Sequence, residues 1–463
     1  MNILVAPNSM KGSLNTFDFA DSIERGFRKI SPVFHVRKVP IADGGDDTGP
    51  VLNRALGAKT ITVGVHDPLG RPMTAEMGIT RNIAVIEMAS ASGLRLLDPA
   101  GYDPLRANTF GTGELIKRAL EMKFAQIYIG VGGSATIDGG IGILAALGFR
   151  FYEDSGKELE PVPSNLSAIS SLKYPDQKLP ETSLVVLCDV NNILLGDQGS
   201  VAVFGPQKGV TGQDGVILEK GLKNWVSLLE RETGKSLRDQ PGMGAAGGIA
   251  VGLVALLGAR LEPGAEFIMN LLEMGEHLDW ADWVITGEGK TDSQGFSRKA
   301  PFVLLEKART KNLPVSVITG AYESDASLVF DGVVSLPNKP MGLEESMRDA
   351  AYLVETGAAQ LAAILLRSKN GMYETDRLYK TILGDIGRGG MEEAQRKITD
   401  IPETLAIHWV CKGLLHNKSQ QWGNALNSYL KALELDPGNG SAQAGIDLVN
   451  SIISYSNRSM RDP

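Results

Sequence analysis

Five stretches of this 463-residue chain place chemically active side chains after predicted strands. Each stretch combines glycine with acidic, basic, amide or hydroxyl side chains. These stretches lie near Lys11, Asp43, Ser134, Asp189 and Glu288. Ligands of α/β proteins bind where the carboxyl ends of parallel strands meet. The pattern therefore predicts one site built from several segments.

The richest of these stretches is Gly130 to Gly142, GVGGSATIDGGIG, between a predicted strand and a predicted helix. Its backbone N–H groups can approach an anion, and the helix dipole favours negative charge there. A tight turn whose glycines only permit positive φ is the alternative. Its one charge, Asp138, would oppose an anion, so we expect a metal at Asp189 or Glu288 instead. The candidate anion-binding residues of the turn are Gly132, Gly133, Ser134 and Thr136.

Lysines and carboxylates occupy the other loops. Lys11 in NSMKGSL and Lys208 in FGPQKG are candidates to hold an anion, although a solvated loop lysine is the alternative for Lys11. Asp43 precedes two glycines in PIADGGDDTGP, and Asp46 and Asp47 of that loop are placed to begin a helix. Asp189 suits a hard cation or a substrate hydroxyl, or else forms an Asx turn.

Anion donors combined with carboxylates suit a phosphorylated ligand with Mg²⁺, for which catalysis is mostly positioning and charge neutralisation. The sequence has no G-x-x-x-x-G-K-[ST] and no G-x-S-x-G, which excludes a P-loop and a serine nucleophile elbow. All five histidines lie outside the candidate loops, so histidine or zinc chemistry is not indicated.

Composition narrows the class further. The net charge of −8 without a long basic run argues against nucleic acid or an anionic membrane as a partner. The chain shows no basic-apolar leader and no apolar run of membrane-spanning length. Cys188 and Cys411 lie far apart in the sequence and form no metal or redox motif. We therefore expect a reduced, cytoplasmic location.

Strand and helix patterns alternate as far as Leu366, which predicts an α/β protein. A helix is expected from Thr16 to Lys29 with Thr16 as its N-cap, whereas residues 153–177 read as a polar loop. The tail from about residue 370 has helical patterning, with tetratricopeptide-like spacing from Ala406 onward. One such repeat is too short for a free solenoid, so the tail is expected to dock on the body or to bind a protein partner. The matching positions of the repeat are Trp409, Gly413, Ala425, Tyr429, Ala432 and Pro437.

The ordered motifs APNSMKGSL, PIADGGDDT, EMASASGL, NTFGTGELI, GVGGSATIDGGIG, CDVNNILLG, FGPQKG, GMGAAGG and ITGEGKTDSQ resemble the bacterial glycerate kinase family of the type I class. The resemblance covers about residues 1–366 and implies ATP-dependent phosphorylation of D-glycerate, usually at the 2-hydroxyl. It also implies two α/β domains with the site in the cleft between them. A discontinuous Rossmann-like domain is expected at 1–72 and 287–369 and an inserted domain at 73–286, followed by the all-α tail at 370–463.

The resemblance carries site residues onto this chain. Lys11, Asp43 and Asp189 are the expected catalytic residues. Mg²⁺ is expected at Asp189, Glu288 and Asp292. The expected substrate- and phosphate-binding residues are Ser13, Gly132, Gly133, Ser134, Thr136, Gln207, Lys208 and Lys299.

The chain also departs from the family pattern. Asn8 and Met10 replace the acid and the phenylalanine of PDSFKGSL, and Asp47 stands where DGGEGT has glycine. Gly295 and Arg298 replace threonine and glycine of Q-T-x-x-G-K-A-P. Two alternatives therefore stay open: a kinase of another small hydroxy acid, and a non-catalytic ligand sensor that recruits partners through the tail.

Overall fold

The computed structural model describes residues 1–291, 299–323 and 329–459. The chain divides into two compact units, Met1–Leu361 and Ala362–Pro463. Along the described residues, no helix combines the length and the apolar character that a membrane span requires.

All strands among the described residues lie in the first unit. They are β1 (Asn2–Val5), β2 (His35–Lys38), β3 (Lys59–His66), β4 (Pro72–Ile79), β5 (Ile83–Glu87), β6 (Gln126–Gly130), β7 (Arg150–Tyr152), β8 (Glu158–Leu159), β9 (Ser171–Lys173), β10 (Ser183–Cys188), β11 (Arg260–Pro263), β12 (Trp283–Thr291), β13 (Val315–Tyr322) and β14 (Gly332–Ser335).

Helices alternate with these strands. They are α1 (Thr16–Ile30), α2 (Thr48–Leu56), α3 (Ala89–Ser92), α4 (Phe110–Glu121), α5 (Ile141–Ala146), α6 (Ser200–Phe204), α7 (Gly212–Thr233), α8 (Ile249–Leu256), α9 (Gly264–Leu271), α10 (Met274–Trp280), α11 (Ala300–Arg309) and α12 (Leu343–Arg348). The boundary between the units falls within α13 (Ala350–Arg388).

The first sheet is parallel throughout, in the order β14-β13-β12-β1-β2. Ile3, Leu4 and Val5 of its β1 strand are fully buried. Such continuous apolar runs are typical of parallel strands covered on both faces. The carboxyl ends of β1, β2 and β12 therefore meet at one edge of this sheet.

The second sheet is mixed, in the order β11-β10-β6-β5-β4-β3. Strands β5, β6, β10 and β11 are parallel, whereas β3 and β4 form an antiparallel hairpin in which Lys59 pairs with Ile79. The sheet membership differs from the expected domain boundaries in two places. Strand β3 precedes residue 72 but belongs to the second sheet, and β12 begins at Trp283, before residue 287, but belongs to the first.

Two local predictions were wrong. The N-cap of α1 is Asn15, whose side chain accepts hydrogen bonds from the N–H groups of Phe17 and Asp18. The Thr16 hydroxyl is buried and instead donates to the Pro7 carbonyl at 2.7 Å. Residues 153–177 are not all loop, because β8 and β9 pair with β7 in a small antiparallel sheet.

The second unit is helical, with α14 (Met391–Ile398), α15 (Ala406–Lys418), α16 (Trp422–Leu435) and α17 (Gly440–Ser459). Tyr429 is fully buried at its centre. A Cβ atom at Gly413 or at Gly445 would lie 2.5 or 2.4 Å from the Tyr429 ring. Small residues at these positions therefore let the three helices close around one aromatic side chain.

Candidate active site

The loop after β2 connects the two sheets of the first unit. The Gly132 N–H after β6 donates to the Gly44 carbonyl at 2.9 Å. A Cβ atom at Gly132 would lie 2.2 Å from the Gly45 Cα atom, and one at Gly44 would lie 2.5 Å from the Leu187 carbonyl oxygen. The loop at residues 39–47, which carries Asp43, is thus wedged against the carboxyl ends of β6 and β10, and we call it the wedged loop. It brings Asp43, which follows a strand of the first sheet, to the edge of the second sheet.

The Asp43 carboxylate is held by donors on both oxygens. The Asn8 Nδ2 atom donates to Oδ2 at 2.8 Å, and the Gly45 N–H donates to Oδ1 at 3.1 Å. Burial raises the pKa of Asp43, while these two bonds and the Lys299 ammonium act to lower it and Asp46 acts to raise it. Because burial dominates, Asp43 has more affinity for a proton than an exposed aspartate.

Lys208 is buried, with 2% of its surface exposed. Its Nζ atom donates to the Ser134 hydroxyl oxygen at 2.8 Å and to the Thr136 carbonyl at 2.7 Å. Burial lowers the pKa of Lys208 to about 7, an effect that Asp138 opposes and the Lys11 charge reinforces. The glycine-rich turn thus holds an ammonium group that loses its proton unusually easily, and the exposed Lys11 side chain lies within electrostatic reach of it.

Asp138 has an internal role. Its Oδ2 atom accepts from the Thr109 N–H, the Thr109 hydroxyl and the Gly142 N–H at 2.8, 2.7 and 3.1 Å. Its Oδ1 atom accepts from the Gly140 N–H at 3.1 Å. Burial raises the pKa of Asp138, and these bonds act to lower it. The carboxylate therefore occupies donors at the starts of α4 and α5, and those at α5 follow the glycine-rich turn where an external anion was expected.

The remainder of the turn divides between structure and site. The Gly132 N–H is bound to Gly44, so it holds the wedged loop rather than a ligand. Gly133 adopts a φ of 67° and its carbonyl accepts from the Leu94 N–H. Thr136 is fully buried and its hydroxyl oxygen has no hydrogen-bond partner among the described residues.

Glu288 lies on β12 and is 6% exposed. The Lys299 Nζ atom, directly before α11, lies 3.8 Å from its Oε2 atom. A Cβ atom at the adjacent Gly289 would lie 3.6 Å from the Lys11 backbone nitrogen. Lys11, Glu288 and Lys299 therefore share one end of the first sheet, and the predicted metal ligand Asp292 lies outside the described residues.

Asp189 follows β10 and reaches the same region. Its Oδ1 atom accepts from the Ala265 N–H at 3.1 Å, in the first turn of α9. A Cβ atom at Gly264 would lie 2.4 Å from the Asp43 carbonyl oxygen. The start of α9 therefore adjoins the Asp43 backbone and binds the Asp189 side chain, which places the two predicted catalytic acids on either side of it.

Two predicted binding residues lie at the margin of this cluster. The Ser13 hydroxyl donates to the Met10 carbonyl at 3.2 Å within the Lys11 loop. Gln207 has an exposed side chain in the turn that leads to Lys208.

Glu87 was missed by sequence reasoning. It ends β5 and its Oε2 atom accepts from the Gly49 N–H at 3.2 Å, in the first turn of α2. Burial, with Asp47 and Asp46 nearby, raises the pKa of Glu87 to about 7. An acid at the carboxyl end of a buried strand is the signal that would have found it.

The Asp47 departure has a local explanation. Asp47 adopts a φ of 64°, a conformation that favours glycine. Its Oδ2 atom accepts from the Thr16 N–H at 2.7 Å, at the start of α1. The Asp47 carboxylate therefore accepts from a helix N–H group to which the Asn15 side chain is not hydrogen-bonded. The departures Gly295 and Arg298 lie outside the described residues.

Magnesium fits the donor set. Among the described residues, His, Cys, Asp and Glu form no group of three or more that could hold a metal. Mg²⁺ is usually bound by one or two carboxylates together with substrate phosphates, rather than by an all-protein cage. Asp189 and Glu288 are carboxylates of the kind that would serve such a site.

Fold and site together define an α/β protein with two main sheets, and lysines and carboxylates lie near the carboxyl ends of its parallel strands, a combination that can serve phosphoryl transfer. The model of the glycerate kinase family matches residues 3–366. The chain belongs to the glycerate kinase family, which confirms the resemblance inferred from its motifs.

Curated relatives support this assignment. The glycerate kinase of Halalkalibacterium halodurans is 38% identical over 370 residues, covering 78% of this chain and 97% of the relative. The glycerate 2-kinase of Escherichia coli K12 is 37% identical over 373 residues, covering 79% and 98%. A crystal structure described as a glycerate kinase 2 of Salmonella typhimurium LT2 has a TM-score of 0.68 and 38% identity, covering 80% of this chain and 99% of that one.

Proposed function

We propose that this protein is an ATP-dependent glycerate kinase that phosphorylates D-glycerate at the 2-hydroxyl to give 2-phosphoglycerate. The main support for this proposal is the wedged loop, because it brings Asp43 to the edge of the second sheet, where Lys208 donates to the glycine-rich turn. The name of the Escherichia coli relative, glycerate 2-kinase, supports the position of phosphorylation.

Lysines provide the anion-binding part of this function. Lys208 and Lys11 hold the glycerate carboxylate or the transferred phosphate, because the first helix turns after the glycine-rich stretch already serve Asp138. Ser134 presents Lys208, since its hydroxyl accepts from the ammonium. Lys299 adds positive charge between Glu288 and Asp43.

Asp43 orients the glycerate 2-hydroxyl and accepts its proton as the hydroxyl oxygen attacks the γ-phosphorus of ATP. The bond between the γ-phosphorus and the β–γ bridging oxygen breaks, and ADP leaves with that oxygen. Burial favours this role, because it raises the proton affinity of the Asp43 carboxylate. One carboxylate oxygen of Asp189 accepts from the N–H at the start of α9, so Asp189 is better suited to metal binding beside Asp43 than to accepting the substrate proton.

Bound Mg²⁺ would neutralise charge on the ATP phosphates. Asp189 and Glu288 would hold it, with Asp292 as the third expected ligand. Lys299 lies beside Glu288 and limits the build-up of negative charge there before ATP binds.

The domain division is part of the proposal. The first and second sheets form the cores of a discontinuous Rossmann-like domain and an inserted domain. The helical unit after residue 361 is a tetratricopeptide-like extension with Tyr429 fully buried in it, and it either docks on the body or binds a protein partner. Cys188 and Cys411 are both buried, and a cytoplasmic location suits such thiols.

A coupled assay with ATP, Mg²⁺ and D-glycerate tests the function, and phosphorus NMR of the product identifies the phosphorylated hydroxyl. We expect 2-phosphoglycerate and stoichiometric ADP. Asp43→Asn should lower kcat by at least about 100-fold, whereas the exposed Asp176→Asn serves as a matched control with normal turnover. Folded wild-type protein that forms no ADP above background would exclude the proposed activity.

A further inference from the structure

Asn8 connects three segments of the candidate site. Its backbone N–H donates to the Gly287 carbonyl of β12 at 2.8 Å. Its side-chain Oδ1 atom accepts from the Ser9 N–H at 2.8 Å, and its Nδ2 atom donates to the Asp43 Oδ2 atom at 2.8 Å. The residue is 8% exposed, so these bonds are largely shielded from water.

The orientation of this amide is fixed by chemistry. The Ser9 N–H can only donate, so it must face the amide oxygen, and an ionised carboxylate can only accept, so it must face the amide nitrogen. Flipping the Asn8 amide would place oxygen against the Asp43 carboxylate and nitrogen against the Ser9 N–H. Since the Gly45 N–H holds the other Asp43 oxygen, the carboxylate is clamped by two different loops.

We propose that Asn8 is a positioning residue that holds Asp43 in the orientation and the ionised form needed to accept the substrate proton. This inference rests on the proposed role of Asp43. Among the described residues, the charged groups with the largest effect on Asp43 are the Lys299 ammonium and the Asp46 carboxylate. Asn8 adds a donor to this environment without adding a charge, so it orients Asp43 without competing for an anionic ligand. An acidic residue at position 8 could donate a hydrogen bond to Asp43 only while it carried a proton.

Two variants of nearly equal volume separate positioning from a general structural role. Asn8→Asp keeps the acceptor for Ser9 but can donate to Asp43 only while the two carboxyls share a proton. Relative to the wild type at the same pH, we expect kcat of Asn8→Asp to be roughly tenfold to a hundredfold lower at pH 9 and at most roughly threefold lower at pH 5.5. Asn8→Leu lacks the donor at every pH, so its kcat should be reduced similarly at both. KM for ATP should change little in either variant.

Asn15→Asp is the matched control. Asn15 also donates through Nδ2 to a carboxylate, Asp18, but at the exposed start of α1. Its kcat relative to wild type should be independent of pH. A kcat ratio for Asn8→Asp that is equally flat, or wild-type kcat in Asn8→Leu, would overturn the proposal. Normal turnover in Asp43→Asn would instead show that the role of Asp43 is wrong.

Discussion

Replacing Lys208 by methionine should change the pH dependence of stability by a predictable amount. Burial lowers the pKa of Lys208 from 10.5 to about 7. Each pKa unit corresponds to about 1.4 kcal/mol, so the buried ammonium costs the folded state about 5 kcal/mol in the charged form. Methionine has a similar length and no charge, and it removes this cost.

The sign follows from proton binding. Below pH 7 both the folded and the unfolded chain hold the Lys208 proton, so the full cost is present. Between pH 7 and pH 10.5 the folded chain has released the proton and the unfolded chain has not, so this lysine makes stability rise with pH. From pH 7 to pH 9 the gain for the wild type is about 2 kcal/mol, because the group is already half deprotonated at pH 7.

Urea unfolding of both proteins between pH 6 and pH 9 measures this effect. The free energy of unfolding of Lys208→Met minus that of the wild type should fall by about 3 kcal/mol over this range. Methionine also leaves the Ser134 hydroxyl and the Thr136 carbonyl without a donor. That loss does not depend on pH, so it cancels when the difference is followed across the range.

The matched control is Lys178→Met, because Lys178 is 84% exposed and its ammonium stays in water. Its difference from the wild type should stay constant across the range. If the Lys208→Met difference is constant as well, within about 1 kcal/mol, the ammonium is not desolvated. The interpretation that Lys208 is a buried lysine that loses its proton easily and binds an anionic ligand would then be refuted.

Substitutions at three further positions test the architecture of the site by urea unfolding, together with kcat for one of them. Asp47→Ala should lose about 2 kcal/mol, since it keeps a residue other than glycine at positive φ and removes the Thr16 acceptor; Asp47→Gly should lose less, and equal losses would contradict this. Gly132→Ala should lower both stability and kcat, because its Cβ atom would overlap Gly45; wild-type activity would show that the loop is not wedged. Asp138→Asn should lose about 2 kcal/mol or more, because its amide nitrogen must face an N–H or hydroxyl donor; unchanged stability would contradict the internal role.

The convergence of the site was predictable, because it depends on where strands end. Lys11, Asp43 and Asp189 each follow a parallel strand, Glu288 lies in the carboxyl-terminal half of another, and such ends meet at sheet edges. The motif order was also sufficient to identify the glycerate kinase family, as the family match confirms.

The orientation of individual groups was not predictable. GVGGSATIDGGIG can serve an external anion or an internal carboxylate with the same residues. The choice is made by Thr109, which precedes α4 and brings two donors to Asp138. The Asn8 to Asp43 bond also joins residues far apart in the sequence, although the departure at position 8 was visible.

The sheet to which a strand belongs was also not predictable from the sequence. The patterns at residues 61–65 and 74–79 predict two strands joined by a turn, and β3 and β4 pair there as an antiparallel hairpin. The patterns contain no information about which sheet this hairpin joins. The small sheet at β7 to β9 was missed because its strands are only two or three residues long.

The wedged loop has a consequence for folding kinetics. Asp43 reaches its place only when Gly44 lies against Gly132 and Leu187, which belong to a sheet formed much later in the chain. Contacts between such distant segments form late, because long loops must close before these contacts contribute. Catalytic activity should therefore return after most of the secondary structure on refolding. A nascent chain would likewise be unable to place Asp43 until β10 has left the ribosome.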